Sequence, residues 1–123
     1  MTYGYFNGYI TNIGEDVSTK VDELRPFAEV ILVESLSSRL SLYEILDNLQ
    51  PGDIVYVYSF LRFSSGLKDL VTLMETIIDE KRAHLVSLHD DFDSRTDEGK
   101  IARKTYINAV PLITADPSYG FFK

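Results

Sequence analysis

Chemistry needs charged or nucleophilic side chains where ordered elements give way to loops, and several stretches of this 123-residue chain offer them. Arg62, Ser64 and Ser65 lie between the run Ile54-Val55-Tyr56-Val57-Tyr58 and the stripe Leu67, Leu70, Val71, Met74, Ile77 and Ile78. The first run is β-branched and aromatic, as in a strand covered on both faces; the second has the three-four spacing of a core-facing helix. Open α/β sheets bind ligands where a strand turns into a helix, so any site is expected near this loop. Asp90-Asp91-Phe92-Asp93 offers hard oxygen ligands for a divalent cation but lacks calcium-loop spacing, and is expected to be a solvated connection. His84 falls within a strand pattern and is expected to be structural. His89, at a strand's carboxyl end, is better placed for proton transfer, yet no Ser or Cys partner is indicated. Arg82, Lys100, Arg103 and Lys104 are read either as a basic cluster or as an ordinary solvated surface. There is no Gly-x-Gly-x-x-Gly after the first strand and no phosphate loop ending in Gly-Lys-Ser or Gly-Lys-Thr.

The elements that must position these residues alternate between strand and helix. Residues 3–10 form a first strand loosened by Gly4 and Gly8, and Asp16 is a candidate N-cap for a helix carrying Val17, Val21 and Leu24 on one face. Pro26 ends that helix. Glu29 to Glu34 contain Val-Ile-Leu-Val, a second buried strand. Ser41 and Glu44 have capping-box spacing before the helical face Leu42, Ile45, Leu46 and Leu49. Pro51-Gly52 turns into the third strand, Ala83 to Leu88 give a fourth, and Ile101 to about Ala109 a last helix, with Pro111 and Pro117 interrupting the remaining residues. The pattern predicts an α/β fold, a three-layer domain with a largely parallel central sheet flanked by helices. The expected organisation is a domain over 1–110 and a short carboxyl-terminal tail over 111–123.

Composition narrows the function classes. The length suits one domain with a sizeable core. No apolar run approaches a membrane span, and Met1 to Tyr9 lacks the basic start of a signal peptide. The absence of cysteine excludes disulfides and thiolate metal sites and fits a cytoplasmic protein. A formal charge of −7 argues against unaided nucleic-acid binding, which needs a basic face.

The order and spacing of several short segments resemble the amino-terminal catalytic domain of serine recombinases, the resolvase/invertase family. Tyr3-Gly4-Tyr5 resembles its opening strand, and Val21-Asp22-Glu23-Leu24 the Ile-Asp-Ala-Leu of its first helix. Arg39, Leu42, Leu46, Gly52 and Asp53 resemble its arginine, second helix and Gly-Asp turn. Arg62, Leu67, Lys68 and Leu70 resemble its Asp-Arg-Leu-Gly-Arg-Ser-Leu segment. Ser87-Leu88, Asp93, Thr96 and Gly99-Lys100 resemble its Ser-Leu, Asp-Thr and Thr-Gly-Arg segments. The resemblance covers about residues 3 to 109. It implies a serine that attacks a DNA phosphodiester to form a 5′-phosphoserine link, with arginines neutralising the phosphate; the resolvase-like fold is implied with it, and no cofactor or metal.

Measured against that pattern, the nucleophile position falls on Tyr9 when counted forward from Tyr3-Gly4-Tyr5, with Asn7 at the preceding arginine. Counted backward from Val21-Asp22 it falls on Thr11, with Tyr9 at the arginine. Neither count meets a serine, and Ser18-Thr19, which echoes the family's Val-Ser-Thr wording, lies inside the first helix pattern. Leu61 stands at the family's Asp, Arg62 is kept, and Ser65 replaces the second Arg. The implied site is therefore Thr11 as candidate nucleophile, with Arg39, Arg62 and Ser65 at phosphate-contacting positions. For the two arginines, phosphate contact and loop-ordering ion pairs both stand. Each lost charge-stabilising group costs roughly 10²–10³ in rate. The expectation is a catalytically inactive accessory or regulator of recombination working through a protein partner or homodimer, with weak DNA contact. The alternative is strand cleavage by a hydroxyl nucleophile. The family continues into a long helix and a helix-turn-helix module. Here Pro111 is expected to break that helix, Tyr119, Phe121 and Phe122 form an aromatic tail, and no recognition module is visible.

Overall fold

The computed structural model describes residues 1–8, 17–35 and 38–115. Its centre is a sheet in the order β2-β1-β3-β4-β5, built from β1 (Thr2–Gly8), β2 (Val30–Ser35), β3 (Ile54–Val57), β4 (His84–Ser87) and β5 (Phe92–Asp93). The first four strands run parallel, with Tyr3 opposite both Val30 and Val55, and Val55 opposite Leu85; β5 returns antiparallel beside β4. The helices are α1 (Val17–Asp22), α2 (Leu40–Asn48), α3 (Leu67–Met74) and α4 (Asp97–Ala115). This is the expected three-layer arrangement.

Strand alternation divides the core between the two faces of the sheet. Tyr5, Val55, Val57 and Leu85 point to one face, where they pack with Leu42, Ile45, Leu46 and Leu49 of α2 and Leu70, Leu73, Met74 and Ile77 of the third helix. Phe6, Tyr56 and Val86 point to the other and pack with Val21 of α1 and Leu24 just after it. Beyond Met74 the third helix widens over Glu75–Glu80, and the Lys81 N–H reaches the Thr76 carbonyl at 3.0 Å, five residues back.

Several expectations change. The apolar run of β2 is the sheet's edge rather than a buried strand: Val30 and Val33 are exposed, and no other described strand pairs with its outer side. The first strand is described only to Gly8, and Asp16 lies outside the described residues. Ser41 does not cap α2. The helix begins at Leu40, after Arg39, and its first N–H groups are taken by Glu34 from the end of β2. The acidic connection contains β5, which sequence alone did not suggest. The last helix starts earlier than expected because Thr96 caps it, its hydroxyl accepting the Gly99 N–H at 3.0 Å, with Asp97 and Glu98 in the first turn. It also continues through Pro111 to Ala115. A proline in a helix removes one donor and crowds the preceding turn, which bends a helix without ending it where packing holds both sides.

Glu34 is 8% exposed, and it is the deepest charged group on β2. Oε1 accepts the Ser41 N–H at 2.6 Å and the Ser38 hydroxyl at 3.3 Å. Oε2 accepts the Tyr5 hydroxyl at 2.6 Å and the Leu42 N–H at 3.3 Å. Burial works against its ionisation, but the donors from Tyr5, Ser41, Leu42 and Ser38 outweigh it and hold the carboxyl below the usual range. Burial first, and then the bond to Glu34, push the Tyr5 phenol well above its ordinary value.

Two substitutions test this packing. Glu34→Gln should cost about 2 kcal/mol, because it exchanges a charge-assisted acceptor of several donors for a neutral amide. A depressed folded-state pKa stabilises above the ordinary glutamate value of about 4.3, and that contribution is lost as pH falls through the folded value. Urea unfolding should therefore separate the two proteins near neutrality and bring them together in strong acid. Gly99→Ala should destabilise by at least about 2 kcal/mol despite a gain of roughly 1 kcal/mol in helix propensity. A Cβ there would lie 1.9 Å from the Asp93 carbonyl oxygen, which already receives the Thr96 N–H and hydroxyl. A urea midpoint at or above wild type would show that the close approach is not what holds α4.

Candidate functional site

The carboxyl ends of β1, β2 and β3 lie side by side, and each leads into a segment that carries a candidate site residue. After β2 the chain reaches Ser38 and Arg39. After β3 it makes a short tight turn over Phe60–Arg62 before entering α3. Thr11, the candidate nucleophile after β1, lies outside the described residues, as does Tyr9. Arg39, Arg62 and Ser65 are thus brought to one edge of the sheet, at the crevice where α/β folds place ligands.

Their partners are internal. The Arg39 guanidinium donates through Nη1 to Asp69 Oδ1 at 3.1 Å and lies 5.7 Å from the Tyr43 ring centroid. The other oxygen of Asp69 accepts the Ser65 N–H at 2.9 Å, so one carboxylate joins the start of α2 to the start of α3. What Ser65 brings to the site is therefore a backbone donor already engaged. Arg62 is only 8% exposed, and its guanidinium sits 5.9 Å from the centroid of Phe6 on β1. Its backbone N–H is held by Ser59, whose side chain accepts at 3.3 Å. Asp90, in the turn after β4, fixes the same segment: Oδ2 accepts the Phe60 N–H at 2.8 Å and the Ser87 hydroxyl at 2.6 Å.

At the end of β1, Asn7 donates through Nδ2 to the Tyr5 hydroxyl and the Ser38 carbonyl, both at 3.4 Å. Its Oδ1 is buried with no partner among the described residues. This neutral amide stands at the position that the forward count gives to the family's preceding arginine. With Glu34, Asp69 and Asp90 close behind the loops, the described part of the edge is not a dense cationic cluster.

The remaining candidates have structural partners. His89 Nε2 lies 2.9 Å from Glu23 Oε1, and its ring sits 4.0 Å, centroid to centroid, from that of Tyr58. It clamps the turn after α1 to the ends of β3 and β4. Asp93 holds Arg95 through both oxygens, at 2.9 and 2.7 Å, and these bonds keep its carboxyl below the usual range. With Asp90 and Asp93 so engaged, the acidic run works as a folded connection, and among the described residues no group of three or more acidic or histidine side chains is placed to hold a metal. Arg103 pairs with Asp79 on the widened end of the third helix, with Nη1 3.0 Å from Oδ1, and so ties α4 to it. Ser18 is exposed on α1.

Glu34, Asp69 and Asp90 organise this edge; sequence reasoning passed over Glu34 and Asp69 and weighed Asp90 only as a cation ligand, not as the acid that holds the Phe60 turn. Their signals in the sequence were weak: a lone acid ending an apolar strand, an acid in the first turn of a helix, and one acid in a run of several.

Comparison with known proteins agrees with this architecture. Residues 13–107 match the family model "Resolvase, N terminal domain", a match that begins downstream of β1 and Thr11. The transposon Tn1546 resolvase of Enterococcus faecium is 33% identical over 90 residues, covering 68% of this chain and 47% of the relative. The chain thus spans about half the length of that curated relative. The N-terminal catalytic domain of TP901-1 integrase superposes with a TM-score of 0.74 at 16% identity, covering 93% of this chain and 96% of that one. A resolvase family site-specific recombinase from Streptococcus pneumoniae gives 0.75 at 14% identity, covering 97% of this chain and 91% of that one. These likenesses, at such low identity, speak to the fold. The matched segment holds α1, β2, α2, β3, α3, β4 and β5 in order, and on that ground the chain belongs to the resolvase family, through the N-terminal domain of the serine recombinases.

Proposed function

We propose that this resolvase-family domain does not cleave DNA and acts through protein contacts, as an accessory or regulatory component of DNA recombination. The observation that carries the reading is the commitment of Arg39 to Asp69, which neutralises a cation that phosphoryl chemistry needs free to meet developing negative charge. The chain's own residues add to this. No serine occurs between Met1 and Val17, Ser65 stands where the family pattern has its second loop arginine, and the arginine before the nucleophile falls on Asn7 or on Tyr9 depending on the count.

Contact with protein is supported by the outer face of α4. Ile101 and Leu112 are 66% and 64% exposed, and at about 3.6 residues per turn they are three turns apart on one side of the helix. A second copy of the chain is the partner we assign to this face, through an apolar helix-to-helix contact.

Two measurements test these statements. In a salt series with labelled duplex DNA, wild type should bind no more tightly than the Arg39→Ala, Arg62→Ala double variant, and no covalent protein–DNA adduct should form. An adduct that disappears in Thr11→Ala would instead establish cleavage by the alternative hydroxyl nucleophile. In sedimentation equilibrium, wild type should self-associate and the Ile101→Asp, Leu112→Asp variant should be monomeric. Equal masses for the two proteins would remove α4 from the interface.

A further inference from the structure

The Asp69 carboxylate lies between two donors that suit an anion: the Arg39 guanidinium at 3.1 Å from one oxygen and the Ser65 N–H at 2.9 Å from the other. Arg39 sits where α2 begins and Ser65 immediately before α3, so both come from the carboxyl edge of the sheet, after different strands. A phosphodiester presents the same two features, negative charge and paired acceptor oxygens, and takes guanidinium and backbone N–H donors in the same way. We propose that Asp69 is an internal phosphate mimic, an autoinhibitory carboxylate that occupies Arg39 and keeps the phosphate of duplex DNA from it. This rests on the proposed function, in which Arg39 is withdrawn from phosphate, and names the residue that withdraws it.

The pair is built to be displaced rather than permanent. The side chains of Arg39 and Asp69 are 26% and 23% exposed, so solvent and ions reach both, and neither charge is sealed in the core. Pairs that solvent reaches are weakly held and screened by salt. While paired with Asp69, the same guanidinium also lies 5.7 Å from the centroid of the Tyr43 ring. A binding-competent Arg39 is therefore a minority state, and apparent affinity for phosphate falls in proportion to that fraction.

Asp69→Asn tests the proposal, since the amide oxygen still accepts the Ser65 N–H while the charge on Arg39 is released. Binding of labelled duplex DNA at low salt should tighten severalfold, up to about fivefold, relative to wild type, and the gain should vanish in the Asp69→Asn, Arg39→Ala double variant. Asp47→Asn removes an equal charge from the exposed carboxyl end of α2 and should leave binding at the wild-type level. If Asp69→Asn melts early, Asp69→Ser keeps an acceptor near the helix start and should give the same gain.

Unchanged binding in a folded Asp69 variant would overturn the mimic, as would an equal gain in Asp47→Asn. Tight, Arg39-dependent binding already present in wild type would overturn the mimic too, because nothing would then be masked. A covalent adduct in wild type strikes instead at the non-cleaving reading, so the two failures are distinguishable.

Discussion

A buried carboxylate that must find donors is the constraint on which the carboxyl edge of this sheet depends. Glu34 cannot stay ionised at 8% exposure unless hydrogen bonds replace its water, and its donors come from three places in the chain. Tyr5 supplies one from the neighbouring strand, Ser38 one from the loop, and Ser41 and Leu42 the otherwise orphaned N–H groups of α2. Satisfying one charge therefore fixes where β2 ends, where α2 begins and how both sit against β1. Arg39 immediately precedes that capped start, so its position is set by the same bonds.

The same device recurs around the edge. Asp90 holds the turn that carries Arg62, and Asp69 holds the entry to α3 together with Arg39. Three acids, from β2, α3 and the turn after β4, fasten the β2–α2 and β3–α3 connections at the carboxyl end of the sheet. Order at this edge is obtained by placing negative charge against backbone N–H groups and a guanidinium. An edge built this way is well positioned, and each of its ordering contacts places negative charge beside the loops.

Periodicity made much of this architecture readable before any coordinates. The run at Ile54–Val57 is buried on both faces as its composition implied, and the stripe from Leu67 to Ile77 packs where its spacing placed it. What sequence could not convey was non-local. Ser41 and Glu44 have the spacing of a local cap, but the donors they were expected to serve are met by Glu34, seven residues before Ser41 and on another element. The Val30–Val33 run has the composition of a central strand, and only pairing order reveals it as an edge. At the site, Arg39, Arg62 and Ser65 do gather at one edge; Ser65 meets Asp69 four residues on, but the acids that engage Arg39 and position the Arg62 turn are far away in sequence. Asp69 is thirty residues from Arg39 and Asp90 is thirty from Phe60.

The edge position of β2 bears on how copies of this protein meet one another in solution. Its six residues leave a row of outward N–H and C=O groups beside exposed Val30 and Val33, whereas the opposite border, β5, is too short to serve as a template. A net charge of −7 keeps such borders apart at neutral pH through mutual repulsion. Wherever salt screens that charge the repulsion fades, while no other described strand pairs with the outer side of β2. Among the described residues no strand covers this border, so charge carried over the whole surface is what opposes edge-to-edge pairing.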